Sequence, residues 1–558
     1  MLPRDTWRWL IFLCSFAYLW LFPYTEQINN PNEMVRVYAV RALVEQGTYV
    51  IGTRGPDGDR GPIYDQWGYV NDKALVCTDG RKPPDCFGKL YPAKAPGLTY
   101  LGVLPYAALW QFHHTLHHRQ PTRPETVWWL RFCVVILPTL LMLAWLARWL
   151  PTRLNQPGLG LASVLAAALG SLSLTYAQMF AGHQVGSVAL LLLFAVIVRA
   201  GAIGNAGAVV LAGLLGASAV VIEFTLAPAV LLLGLWLLLR RRDPMDVLRL
   251  LIGGALPILL LLHNNWRSFG SPLQLSYNHL ENPGFIRDMA PGFMGIHLPT
   301  LEKVRGSLIS PFTGLYFFAP WTLLAWLGLL GALPFRREDA RRWLLDRRGE
   351  AFVAFLVCLY FLFFQCTHSL WRGGWVVGPR YITACVPFAA IATAHGLDAL
   401  PRFRLPLAGI LLGGAGIAAI VITGTATAVS QGFPFEVYNP LREVVAPLLT
   451  HGWTFTNPLM RLGIPAPWNA LPYFLALIVG ALWLAWLAVR TPRLRARAIG
   501  FVLALVLAGA LVRLAWMQAG TRTPEDQMIT LRFLMDTWTP PHPPGSRTID
   551  LTRSRPQR

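Results

Sequence analysis

The residues best suited to chemistry in this chain are one acid and two cations, spread far apart in sequence. Glu33 opens the stretch NPNEMVRVYAVRAL, Lys94 sits between two prolines in YPAKAPG, and Arg380 closes GGWVVGPR. A carboxylate can accept a proton from an attacking hydroxyl. A lysine held in a stiff turn is a compact point charge for a phosphate, and an arginine fork binds one bidentately. Asp72, His183, Glu223 and Tyr381 join them as candidates for contacting a sugar or an acceptor. Taken singly, each has a plainer reading. Glu33 suits the first turn of a helix. Lys94 and Arg380 suit interfacial anchors, and His183 suits a structural histidine.

These residues must be positioned by a chain that is overwhelmingly apolar. Of 558 residues, 54% are hydrophobic and 14% charged, against about 25% charged in soluble domains. Apolar runs of helix-crossing length recur. The reading is an all-α, polytopic membrane protein of about thirteen spans. They are placed near 7–24, 127–148, 158–178, 183–199, 206–222, 224–240, 247–263, 315–334, 351–366, 382–399, 405–427, 471–489 and 498–517. The net charge of +20 comes mainly from arginines in short loops between spans. It reports topology rather than nucleic-acid binding. The Arg148/Arg153, Arg240–Arg242, Arg336–Arg348, Arg402/Arg404 and Arg490–Arg497 clusters then share the cytoplasmic face.

Residues 1–517 form one transmembrane domain. Its outward pieces are a first loop, 25–126, and further loops at 264–314 and 428–470. A Pro-rich tail, 518–558, is expected to be largely disordered. Leu98–His113 is apolar but short and interrupted by Pro105, so it is expected to re-enter or lie on the surface rather than cross. The stretch from Glu33 is expected to be an amphipathic interfacial helix, capped by Asn30 or Asn32. Cys77 and Cys86 lie in the first loop. They pair if that loop faces an oxidising compartment, and are free thiols otherwise. The run HHTLHH has no companion cysteine or carboxylate nearby, so no metal site is expected. Asp65, Asn264, Arg267 and Arg372 complete a polar set confined to the outward ends of spans. That one-sidedness disfavours a transporter or flippase, which needs polar groups along a path through the membrane.

The order of these pieces resembles the GT-C membrane glycosyltransferases. An acid follows the first span (NPNEMVRVYAVRALVEQGTYVI), then comes a Lys-Pro turn (LYPAKAPG). Later come AGHQVGSVALLLLF, NNWRSFGSPLQLSY, ISPFTGLYFFAPW and GGWVVGPRYITACVPF. The branch most similar holds the protein O-mannosyltransferases and lipid A aminoarabinose transferases, and the resemblance runs over roughly residues 7–400. It implies a bacterial inner-membrane enzyme that moves a hexosyl or pentosyl group from a polyprenyl-phosphate carrier to a glycan, lipid or protein acceptor at the periplasmic face. It implies inversion and no cofactor or metal. Carried over, Glu33 is the base, although many relatives have Asp-Glu where this chain has Asn32-Glu33. Lys94 and Arg380 hold the carrier phosphate. An O-antigen ligase-like enzyme is the other membrane-face alternative, but its chemistry would centre on a late loop.

Overall fold

The computed structural model describes residues 5–21, 30–203, 205–292, 295–332, 343, 345–434, 437–489, 493–518, 524–535, 544–547 and 549. Eight of its helices are long and apolar enough to cross a bilayer: Arg123–Arg153, Gly182–Ala200, Phe224–Arg241, Met245–Phe269, Arg347–Thr367, Leu405–Val429, Leu471–Ala488 and Leu494–Met517. Three more apolar helices, Pro157–Leu169, Ala206–Ile222 and Pro320–Ala332, are shorter. Thr6–Trp20 (α1) and Val386–Asp398 occupy the two remaining expected spans. Of the thirteen expected positions, eight hold helices of membrane-crossing length and five hold shorter ones among the described residues. The parts of the first and eighth expected spans at residues 22–24 and 333–334 lie outside the described residues, as do Arg336, Arg337, Arg341, Arg342 and Arg490.

The bundle has a centre and an edge. Pro157–Leu169 is buried along almost its whole length, and so is Val386–Asp398. Met245–Phe269 and Leu494–Met517 are mostly exposed at apolar residues such as Leu251, Leu256, Ile499 and Val506. In a bilayer these outer faces meet lipid, which costs an apolar side chain nothing.

At one end of the bundle, described residues flanking three of the basic loops meet. Arg153 forks onto Glu350 at 2.8 and 3.0 Å. Asp398 accepts from the backbone of Asn155 and Gln156. Arg347 reaches Asn155. Arg249 bridges Asp243 and Asp246 nearby in sequence.

The other end carries the first loop, and here the fold adds what the sequence reading lacked. Gly52–Gly55 (β1), Gly58–Arg60 (β2), Lys73–Cys77 (β3) and Gly88–Pro92 (β4) form an antiparallel sheet in the order β2-β1-β4-β3. A short helix, Pro62–Trp67 (α3), covers it. Cys77 and Cys86 are disulfide-bonded, closing the β3–β4 connection. Pro31–Gln46 (α2) lies between this small sheet and the bundle. Asn30 caps it, accepting from Asn32 N and Glu33 N, with Pro31 at its first position. It is not amphipathic, contrary to expectation. Val37 and Val40 pack into the bundle core, whereas Val35, Tyr38, Ala39 and Ala42 pack against the sheet. A helix sandwiched on both faces needs no solvent-facing stripe.

Leu98–His113 belongs to a longer unbroken helix, Gly97–His117 (α4), that runs through Pro105. Its length departs from the short segment expected. Gly102 near its start abuts Val40, and Tyr106 one turn later bonds Glu45 of α2, so α4 runs beside α2 in the same direction. Its far end, at His113, faces Glu125. Arg123, two residues before Glu125, bonds Trp67 of α3. Both ends of α4 therefore stay with the first loop. In the tail, Pro524–Phe533 is helical and Leu531 and Leu534 are buried, a local departure from disorder. Most of the remainder of 518–558 lies outside the described residues.

Candidate functional site

Three of the sequence candidates meet in one cavity. Asp72, Lys94 and Arg380 line a space of about 590 Å³, together with Asn30, Asn32, Asn71, Tyr277, Asn282, Asp288 and Trp375. Each is delivered by a constrained backbone. Asp72 sits at φ +61°, a left-handed conformation uncommon for a residue other than glycine. Its carbonyl accepts from Ala93 N, which ties it to the turn before Lys94. That turn leads into Gly97, where a Cβ would lie 2.6 Å from the backbone of Val221 and Ile222. Only glycine lets the Lys-Pro turn seat so closely on the bundle. Lys94 Nζ reaches Asp72 Oδ2 at 3.2 Å.

Arg380 comes from the other side. Its aliphatic stem lies against Gly373, whose φ of +74° and close contact again exclude a side chain. Its guanidinium stands over the Tyr381 ring at 5.0 Å and donates to that hydroxyl at 3.2 Å. Arg380 Nε is buried with no hydrogen-bond partner among the described residues. A buried donor without an acceptor is costly, and a ligand oxygen would relieve it. Asp72 is among the charges acting on Arg380, and both Asp72 and Glu223 act on the Tyr277 phenol. Burial, as the largest effect, pushes that phenol above its usual range.

The remaining candidates lie behind the cavity lining. Glu223 accepts from Arg36 at 3.2 Å and faces His183 Nδ1 at 3.7 Å. His183 packs edge-on against Tyr381. Arg36 also bonds Asn32 Oδ1 and the Ala95 carbonyl. It therefore clamps the α2 start, the Lys94 turn and the end of Ala206–Ile222 together. The sequence reading passed over Arg36 and Tyr277. The signal for Arg36 was its spacing, one helical turn after Asn32 on α2. Tyr277 stood at the end of NNWRSFGSPLQLSY, a piece already singled out. His368, beside Tyr381, is held neutral. Burial first, and then the Arg380 charge, push it down to about 4.

Glu33 lies apart from Asp72, Lys94 and Arg380. It is fully buried and does not line the cavity. Arg131 grips both its carboxylate oxygens at 2.5 Å, and Phe180 N donates to it at 2.7 Å. These bonds hold α2 on the Arg123–Arg153 helix. The same bond accounts for a buried arginine at position 131. Asp65 is exposed beside Arg60, and Arg372 pairs with exposed Glu302.

No family model matches the chain, and no curated protein matches it in sequence. Solved structures do share similarity of fold. One is ArnT from Cupriavidus metallidurans bound to undecaprenyl phosphate, at 15% identity and a TM-score of 0.43, covering 96% of this chain and 84% of that one. The apo form of that protein gives 16% and 0.44, covering 94% and 83%. The arabinosyltransferase EmbB from Mycobacterium smegmatis gives 14% and 0.39, covering 92% of this chain and 41% of that one.

Proposed function

We propose that the chain is a glycosyltransferase that moves a sugar from a polyprenyl-phosphate carrier to an acceptor hydroxyl at the outward membrane face. The observation that carries this is the meeting of Lys94, Arg380 and Asp72 in one cavity at the end of the bundle opposite the basic loops. The sequence resemblance to GT-C enzymes points the same way. An apolar bundle beneath the cavity suits a prenyl tail.

Asp72 replaces Glu33 as the base. The other carboxylate of the lining, Asp288, has no ion pair among the described residues, whereas Asp72 stands 3.2 Å from Lys94, beside the place proposed for the leaving phosphate. Asp72 takes the acceptor hydroxyl's proton as that oxygen bonds to the anomeric carbon. The bond from that carbon to the phosphate oxygen breaks, and its electron pair leaves with the phosphate. Lys94 and Arg380 stabilise the growing negative charge where it appears. Attack opposite the leaving phosphate inverts the anomeric centre. Arg36, Glu223, His183 and Tyr381 position these groups from behind.

The test is the purified chain in lipid nanodiscs, given a panel of polyprenyl-phosphate sugars. Transfer or donor hydrolysis with at least one donor is expected, with saturable undecaprenyl phosphate binding that Lys94→Met weakens. A protein that neither binds undecaprenyl phosphate nor consumes any donor overturns the reading.

A further inference from the structure

A second cleft of about 550 Å³ lies against the first cavity. The two share a wall. Tyr277 and Leu280 line both, and on the short Pro283–Met289 helix Phe285 faces the cavity while Ile286 faces the cleft. The wall is fixed rather than loose. Leu280 pairs with Ala74 as a β-bridge, and Glu281 N bonds the Lys73 carbonyl. The Glu281 carboxylate is held by Arg54 at 2.6 Å.

The charged lining of this cleft is cationic, Arg81 and Lys82, with no carboxylate among the lining residues; burial lowers His279 toward its neutral form, so it joins them as a hydrogen-bonding ring rather than as a charge. Arg81 is already committed to Asp79. Lys82 is exposed and has no ion pair among the described residues. His279 Nε2 is buried without a partner, its ring stacked on Phe269. The segment carrying Arg81 and Lys82 is closed at its base by the Cys77–Cys86 disulfide, so these charges sit on a covalently restrained loop. Val76, Pro83, Leu280 and Ile286 supply apolar contact beside them. Cationic donors with apolar flanks, one wall away from the base, suit a sugar ring that bears a phosphate or carboxylate.

We propose that this cleft is a subsite for an anionic saccharide, and that it seats the acceptor while the Asp72–Lys94–Arg380 cavity holds the donor. This rests on the transferase reading for the word acceptor, but the binding itself does not. The carrier phosphate and the acceptor's anionic group are thereby kept on separate cations. That separation prevents either ligand from taking the other's place.

Glucose 6-phosphate is the probe, with glucose as its neutral control, on the full chain in neutral-lipid nanodiscs with binding read by saturation-transfer NMR. Saturable binding of glucose 6-phosphate but not glucose is expected. Lys82→Glu, at an exposed site outside the donor cavity, weakens that binding by roughly tenfold or more. It leaves undecaprenyl phosphate binding unchanged. Equal binding of glucose, or full affinity in Lys82→Glu, overturns the proposal. So does a variant that loses only association with phosphatidylglycerol nanodiscs, since that marks a lipid surface instead. Failure of the transferase reading shows separately, as wild-type protein that binds no undecaprenyl phosphate whatever the cleft does.

Discussion

At the residue scale, two carboxylates that look alike in sequence sit in different settings. Asp72 faces a cavity with one cationic partner, whereas Glu33 is buried with both its oxygens hydrogen-bonded. Asp72→Asn is expected to lower transfer by about 10²–10⁴-fold, the usual worth of a general base. Undecaprenyl phosphate binding and melting temperature should stay near wild type. Transfer at the wild-type rate would assign the base elsewhere. Glu33→Gln should do the opposite. It strands Arg131 in the core, at a cost of about 3–5 kcal/mol. Thermal unfolding should report this as a clear drop, and Glu33→Gln paired with Arg131→Met should recover part of it. An inactive Glu33→Gln protein that melts like wild type would return Glu33 to the chemistry.

At the element scale, the first-loop sheet is held by ions as well as by its small core. Lys73 is buried against Asp59 at 2.7 Å, and Arg54 joins Asp59 to Glu281. Burial alone would raise the Asp59 carboxyl, but hydrogen bonds from Arg54 and Lys73 overcome it and hold it below its usual range. A depressed carboxylate stabilises the fold above its unfolded value, about pH 4, and that contribution is lost as pH falls through the lower folded value. Limited proteolysis within residues 52–92 should be flat between about pH 5 and 8 and accelerate below about pH 4. Asp59→Asn should be cut faster at neutral pH and lose that acid dependence. Reduction of Cys77–Cys86 frees a short loop, worth about 2–3 kcal/mol in the chain-entropy account. It should loosen the cleft that carries Lys82 before it affects the bundle.

At the scale of the whole molecule, the two ends of the bundle differ in kind. One collects arginine-rich loops closed by Arg153–Glu350, and the other collects the cavity. Single cysteines placed at Lys82 and at Arg347 should therefore label from opposite sides of a sealed vesicle with a membrane-impermeant thiol reagent. Labelling of both from one side would refute the topology. By itself the sequence determined the membrane class and the positions of the long apolar helices, because hydropathy is a local property that the bilayer reads directly. It also named Asp72, Lys94 and Arg380, since charges are sparse in an apolar chain and stand out. Tertiary structure decided which acid faces the cavity. Glu33 is committed by Arg131, a residue 98 positions away, and Asp72 is turned to the cavity by a left-handed backbone. The sheet, the burial of α2 on both faces and the Tyr277 wall were decided there as well. Each depends on contacts between segments far apart in the chain, which no local pattern encodes.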